Sequence, residues 1–135
     1  MARSLVSRTE ECVKEAESYL LAANKQYESA LEQGVWNPVI VSCIMAMIKS
    51  VDALMLEHRG STNRDHSKTA NELQKLYEDG LVSDTFKSNL DSVRKWVVDE
   101  KTSIQYRNKS VSQTDADRAI KSTERLLEKT SKETR

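Results

Sequence analysis

The sequence predicts an all-α protein, an up-down antiparallel bundle of four main helices with a fifth, C-terminal helix. Three observations favour this fold. Glycine occurs three times and proline once in 135 residues, fewer than the turns of a β-rich fold require. Apolar residues recur at steps of three and four along most of the chain, which is the period of one helix face. Residues 39–48 are apolar on every side, and such a helix is stable in water only when other protein surrounds it.

The first two helices are predicted over residues 4–33 and 38–58. Gly34 ends the first helix. Asn37 is the predicted N-cap of the second helix and Pro38 its first helical residue. Trp36, just before the cap, is expected to pack onto the first turn. The second half of this helix is predicted to be amphipathic, with Asp52 among its polar residues.

Three further helices follow the polar loop at residues 59–65, which contains Gly60. The third is predicted over residues 67–79 and the fourth, capped by Ser83, over residues 84–106. Thr114 is the predicted cap of the fifth helix, and the polar tail from Glu128 is expected to fray. Residues 1–135 are therefore predicted to form a single domain.

The composition argues against several classes of function. Positive and negative residues balance at 21 each, so bulk charge does not favour nucleic acid, although local basic patches are compatible with it. Cys12 and Cys43 lie in apolar patterns and are expected to be buried, reduced thiols. The N-terminus lacks the apolar run of a signal peptide. The apolar stretch 35–48 is shorter than the roughly 20 residues of a membrane span. We therefore expect a soluble, cytoplasmic protein without membrane contact.

The chain lacks the residues of common metal and cofactor sites. Its two histidines are His58 and His66, and neither lies three residues after a glutamate, as a ferritin-like metal site requires. Three scattered glycines cannot form a phosphate-cradling loop. We therefore predict neither a metal nor a cofactor.

Two polar clusters are candidate binding sites. The first is the loop after the second helix, with Arg59, Arg64 and His66. Arginine side chains and helix N-terminal amides both bind phosphate oxygens. The alternative is a solvated loop in which His66 caps or packs against the third helix.

The second cluster is Tyr106, Arg107 and Asn108, at the predicted end of the fourth helix. Cations at a helix C-terminus are also favoured by the helix dipole. A purely structural role for Arg107 is therefore the alternative to ligand binding.

The sequence resembles the HEPN domains, small helical proteins of prokaryotes that also occur fused to other domains in eukaryotes. The resemblance covers about residues 8–132. Its first motif is the run at residues 50–60, and its second is Asp65-His66, which opens a helix with Leu73 and Leu76. The C-terminal motifs are Tyr106-Arg107-Asn108, a polar gap, Thr114-Asp115-Ala116-Asp117, Ala119-Ile120 and Leu126-Leu127.

The resemblance implies a HEPN-like bundle that forms a homodimer. Many members partner a minimal nucleotidyltransferase in toxin–antitoxin pairs. Others are metal-independent ribonucleases that carry an arginine, usually a polar residue such as asparagine after it, and a histidine separated from the arginine by four to six residues. In that chemistry the arginine stabilises phosphate charge and the histidine helps proton transfer.

The ribonuclease motif is incomplete in this chain. Arg107-Asn108 resembles its first half, but Ser112, Gln113 and Thr114 occupy the positions where the histidine is expected. Arg59 and His66 have six residues between them and satisfy the spacing, but across a loop.

The resemblance therefore implies a non-catalytic, homodimeric binding module for a nucleotide, RNA or a partner protein such as a minimal nucleotidyltransferase. The alternatives are a metal-independent ribonuclease toxin that uses Arg107, or Arg59 with His66, and a helical scaffold without a specific ligand.

Overall fold

The computed structural model describes residues 5–100 and 110–134, and within these ranges it contains helices and no strand. The all-α prediction is confirmed. Short 3₁₀ turns, His66–Lys68 and Asp84–Phe86, lead into the third and fourth helices, and the fourth continues into a π-helical segment, Arg94–Glu100. The helices are α1 Leu5–Gln33, α2 Asn37–Arg59, α3 Thr69–Glu78, α4 Lys87–Val93 and α5 Gln113–Thr134.

Helix α2 is the centre of the molecule. It contacts α1, α3, α5 and the π-helical segment after α4, so most of its apolar residues are buried, and Val41, Met45 and Met55 are half-buried. Ile40, Ile44 and Ile48 are completely buried. By length and composition α2 could cross a membrane, but 78% of its most apolar window is buried inside the protein. That burial is typical of a core helix.

The neighbours of α2 run in opposite directions. Helix α1 is antiparallel to it, because the Ser42 hydroxyl donates to the Gln26 amide oxygen at 2.6 Å while Lys49 pairs with Glu15 at 3.0 Å. Helix α5 lies beside α2 and parallel to it, since His58 approaches Glu133 at 4.0 Å near the C-terminal ends of both helices. One end of the bundle is therefore formed by the start of α1 and the ends of α2 and α5.

Two predicted caps differ from the structure. Helix α2 begins at Asn37, with Trp36 rather than Asn37 in the capping position. The cap of α5 is Ser112 rather than Thr114. The Ser112 hydroxyl accepts from the Asp115 amide at 3.2 Å, and the Asp115 carboxylate accepts from the Ser112 amide at 3.0 Å. This reciprocal pair is a capping box.

The remaining boundaries follow the prediction more closely. Ser83 caps the fourth helical segment, accepting from the Thr85 amide at 3.3 Å. The expected fraying from Glu128 is not present, because α5 remains helical to Thr134 and Thr130 is completely buried.

Trp36 packs edge-to-face on Tyr27, with ring centroids 5.0 Å apart, so it joins α1 to the start of α2.

Candidate functional site

Arg59 is the last residue of α2, and an ion pair holds its side chain. Gly60 ends the helix in the left-handed region, with φ 76°, and its amide bonds to the Leu56 and Met55 carbonyls. The Arg59 guanidinium donates to the carboxylate of Asp79, just beyond the end of α3. The pair is 41% and 43% exposed, so its contribution to stability is small. The carboxylate of Asp79 therefore offsets the positive charge of Arg59.

Asp65, and not His66, caps the segment that leads into α3. Its carboxylate accepts from the Ser67 hydroxyl at 2.6 Å and from the Ser67 amide at 3.0 Å. These two hydrogen bonds hold the pKa of Asp65 below its ordinary value. The Asp65 amide in turn donates to the Asn63 side chain at 2.9 Å. His66, which was expected to cap or pack against this helix, is its first residue and is half-buried.

The structure separates Arg59 from His66. The Arg59 guanidinium lies at Asp79, after the C-terminal end of α3, whereas His66 precedes the N-terminal end. The ten residues of α3 lie between them, about 15 Å of helix. The spacing along the chain that suggested a paired site therefore does not bring the two groups together.

Of the other predicted site residues, the structure describes Arg64 alone. Arg64 is exposed and forms no ion pair with any residue that the structure describes. Tyr106, Arg107 and Asn108 lie outside the described residues.

Asp52 is a buried carboxyl group between α1, α2 and α3. It is 9% exposed, and burial raises its pKa to about 6, with Lys49 opposing the shift and Glu15 adding to it. The Lys49 ammonium is bound to Glu15 at 3.0 Å. Burial, followed by the charge of Asp52, also raises the pKa of Glu72 on α3 to about 6. The sequence had placed Asp52 on a polar helix face, whereas α1 and α3 cover it.

The thiols and the carboxyl groups do not form a metal centre. Burial raises the pKa of Cys43 to about 12, so this thiol is protonated and inert. Cys12 is partly buried, and burial also raises its pKa. Across residues 5–100 and 110–134, no three His, Cys, Asp or Glu side chains are grouped as metal ligands would be.

A basic cleft lies between α5 and the helix formed by α4 and its π-helical extension. It is a cavity of about 390 Å³. Trp96, which is buried, forms part of its wall, and Lys95 lies over the indole ring with its nitrogen 4.8 Å from the ring centroid. The cleft, which we call the α4–α5 cleft, is lined by Asp91, Ser92, Lys95, Trp96, Arg118, Lys121, Ser122 and Arg125.

The four cations of the α4–α5 cleft are exposed, and Lys95 contacts the Trp96 ring. Lys95, Arg118, Lys121 and Arg125 make no hydrogen bond or ion pair with the part of the chain that the structure describes. Lys129, further along α5, differs. Its ammonium donates to the Thr85 carbonyl at 2.7 Å, the Ser88 hydroxyl at 3.0 Å and the Asn89 side chain at 2.7 Å, and so fastens α5 to the start of α4.

The opposite side of α5 has a different charge. A cavity of about 320 Å³ between α1 and α5 is lined by Asp117 and Glu124 with one cation, Lys121, beside Asn24, Tyr27 and Ile120. The α4–α5 cleft has four cations and one acid. The α1–α5 cavity is thus more acidic than the α4–α5 cleft, and Lys121 lines both.

The comparisons with known proteins identify the family. The model of the HEPN domain matches residues 9–133. The chain belongs to the HEPN family. No curated protein matches it.

The α4–α5 cleft of this HEPN domain was not predicted from the sequence. Part of its signal was present, because Arg118, Lys121 and Arg125 are spaced by three and four residues and so share one helix face. The contribution of Lys95 was not accessible from spacing, because it depends on how α4 packs against α5.

Proposed function

We propose that this HEPN domain is a non-catalytic binding module, with a nucleotide, RNA or a partner protein as its ligand. The observation that carries the proposal is the separation of Arg59 from His66 by the length of α3. A ribonuclease needs its phosphate-binding cation and its proton-transfer group on the same scissile bond. The sequence supports the same conclusion for Arg107, because no histidine follows it.

Incubation of the purified protein with a mixed RNA, without divalent metal, tests this proposal. We expect the RNA to stay intact, and Arg59→Ala, His66→Ala and Arg107→Ala variants to match the wild type. Cleavage that is lost in Arg107→Ala would show a ribonuclease that uses Arg107. Cleavage lost in both Arg59→Ala and His66→Ala would instead favour that pair. Each variant is compared with wild type by thermal unfolding, so that misfolding is not mistaken for lost activity.

We further propose that the module acts as a homodimer. Most of the apolar surface of α2 is covered by its own chain, although Val41 and Met45 are only half-buried. Among the described residues, the exposed large apolar side chains are Leu21 and Leu31 on α1 and Val35 just after it. These residues support a contact through α1. We expect a dimeric mass by light scattering at micromolar concentration and a monomeric mass for Leu21→Ser combined with Leu31→Ser. A monomeric wild type would contradict the proposal.

The cytoplasmic location and the minimal nucleotidyltransferase partner stay predictions from the sequence and the family resemblance. An adjacent gene for a small nucleotidyltransferase would support the partner.

A further inference from the structure

Three buried side-chain atoms at one end of the bundle have no hydrogen-bond partner within the described ranges of the chain. They are the hydroxyl oxygens of Thr9 and Thr130 and the Nε2 nitrogen of His58. Thr9 is 2% exposed, and Thr130 is completely buried. A buried polar atom without a hydrogen bond is costly, and native proteins nearly always satisfy such atoms with protein groups or with ordered water.

The two threonines extend one small apolar cluster toward the same end of the bundle. Val13 of α1, Leu127 of α5 and Ala53 of α2 belong to this cluster. Thr9 lies one turn before Val13, and Thr130 lies one turn after Leu127. Because α1 runs antiparallel to α5, both steps lead toward the end where the start of α1 meets the ends of α2 and α5.

His58 and Glu133 face each other at this end. His58 Nε2 lies 4.0 Å from the Glu133 carboxylate, which is too far for a direct hydrogen bond. A separation of this size fits a water molecule that hydrogen-bonds to both groups. Glu133 is three residues after Thr130 and shares its face of α5, so the gap adjoins the Thr130 hydroxyl.

The Thr130 hydroxyl differs from those of two other threonines on α5. Thr123 donates to the Ala119 carbonyl at 2.8 Å, and Thr134 donates to the Thr130 carbonyl at 2.8 Å. A threonine inside a helix commonly satisfies its hydroxyl with the carbonyl four residues earlier. The Thr130 hydroxyl makes no such bond, so its partner comes from outside α5.

We propose that one buried water molecule binds at this end of the bundle. Its partners are the hydroxyls of Thr9 and Thr130, His58 Nε2 and the Glu133 carboxylate. Buried waters typically make about three hydrogen bonds to polar groups that the protein leaves unsatisfied. The water joins α1, α2 and α5, and it holds the last turns of α5, which the sequence predicts to fray.

The chemistry of these groups selects water over other occupants. A hydroxyl both donates and accepts, an imidazole nitrogen does one or the other, and a carboxylate only accepts. An anion would be repelled by Glu133, and an apolar molecule would leave both hydroxyls unsatisfied. A metal ion would need more ligands than one imidazole and one carboxylate supply. A small neutral molecule that donates and accepts meets all of these demands.

Urea unfolding of Thr9→Val, Thr130→Val and the double variant tests the site. Valine keeps the shape of threonine and removes only the hydroxyl. Because each hydroxyl binds the water, either substitution should raise the unfolding equilibrium constant about fivefold. The double variant should stay well below the product, about twenty-five-fold, because two groups that share a partner do not act independently.

Two results of this cycle would overturn the proposal. A valine at an unsatisfied hydroxyl removes a buried polar group that has no partner, so either single variant would then be more stable than wild type. A double variant that reaches the full product would show that the Thr9 and Thr130 hydroxyls do not share a water.

Thr123→Val is the matched control for Thr130→Val. Thr123 is also completely buried on α5, but its hydroxyl bonds to the helix backbone. The effects of Thr123→Val and Thr9→Val should therefore multiply. Coupling as large as that between Thr9 and Thr130 would show a general response of helix packing instead of a shared water, and would also contradict the site.

A high-resolution crystal structure of the wild-type protein tests the water directly. We expect a fully occupied water within about 2.7–3.2 Å of both threonine hydroxyls and His58 Nε2, and its loss in Thr9→Val. Hydrogen exchange adds a second readout, since Thr9→Val on α1 should speed the exchange of amides in the last turn of α5. Direct hydrogen bonds from protein groups to these atoms, in place of the water, would refute it.

Discussion

Asp52→Asn is expected to stabilise the protein at neutral pH and to have little effect near pH 4. Burial raises the pKa of Asp52 from 3.8 to about 6 in the folded protein. Above the folded pKa the carboxylate is charged in both states, and burying that charge costs about 2–3 kcal/mol. Below 3.8 the group is neutral in both states and the cost disappears. The contribution of Asp52 to stability is therefore fully present in acid and is lost as the pH rises through about 6.

Urea unfolding of wild type and Asp52→Asn at successive pH values measures this effect. The difference in unfolding free energy should grow from near zero at low pH to its full value above the folded pKa of about 6. Asp99→Asn is the matched control, because it makes the same replacement at an exposed position. A difference between wild type and Asp52→Asn that does not vary with pH would contradict a buried, titrating carboxyl group.

The same variant should alter Glu72. Its raised pKa, about 6, arises from burial and then from the charge of Asp52. With asparagine in place of Asp52, the second cause is absent and the pKa of Glu72 should fall. Carboxyl chemical shifts followed by NMR during a pH titration would report it, and an unchanged midpoint would show that the two groups do not interact.

Ile44→Ala is expected to destabilise the protein by about 2–5 kcal/mol. Ile44 is completely buried in α2 and belongs to the main apolar core. Truncating it removes apolar contacts and leaves a cavity that neighbouring helices cannot fill without moving. Urea unfolding, with an unchanged dependence on denaturant, would measure the loss.

Lys75→Ala is the control for Ile44→Ala. Lys75 is exposed on α3, and surface substitutions of this kind usually change stability by less than about 0.5 kcal/mol. Similar losses in both variants would show that the loss is not specific to the core. A loss below about 1 kcal/mol for Ile44→Ala would contradict the central position of α2.

The fold was predictable because local patterns determine it. Residues 39–48 in the first half of α2 are apolar on every side, and such a segment is stable in water only when neighbouring helices bury it. The prediction placed the cap of α5 at the wrong residue, although the pattern of the true cap is also local. Ser112 and Asp115 form the reciprocal pair, and the spacing of a serine three residues before a carboxylate was available in the sequence.

The candidate site was less predictable because it depends on packing between distant segments. Arg59 and His66 are close in sequence, yet the Asp79 ion pair directs the arginine to the far end of α3. Lys95 and Arg118 are distant in sequence, yet they line one cleft. Asp52 was assigned to the polar residues of α2 together with Lys49 and Glu57, and only the packing of α1 and α3 buries it.

The central position of α2 also has a consequence for synthesis of the chain. One side of α2 is covered by α5, whose buried residues Leu126 and Leu127 are translated long after Ile48. At about 5–20 residues per second, α2 waits on the order of ten seconds for this cover. During that time one side of the most apolar helix of the chain lacks its cover, and transiently exposed apolar surface of this kind favours aggregation.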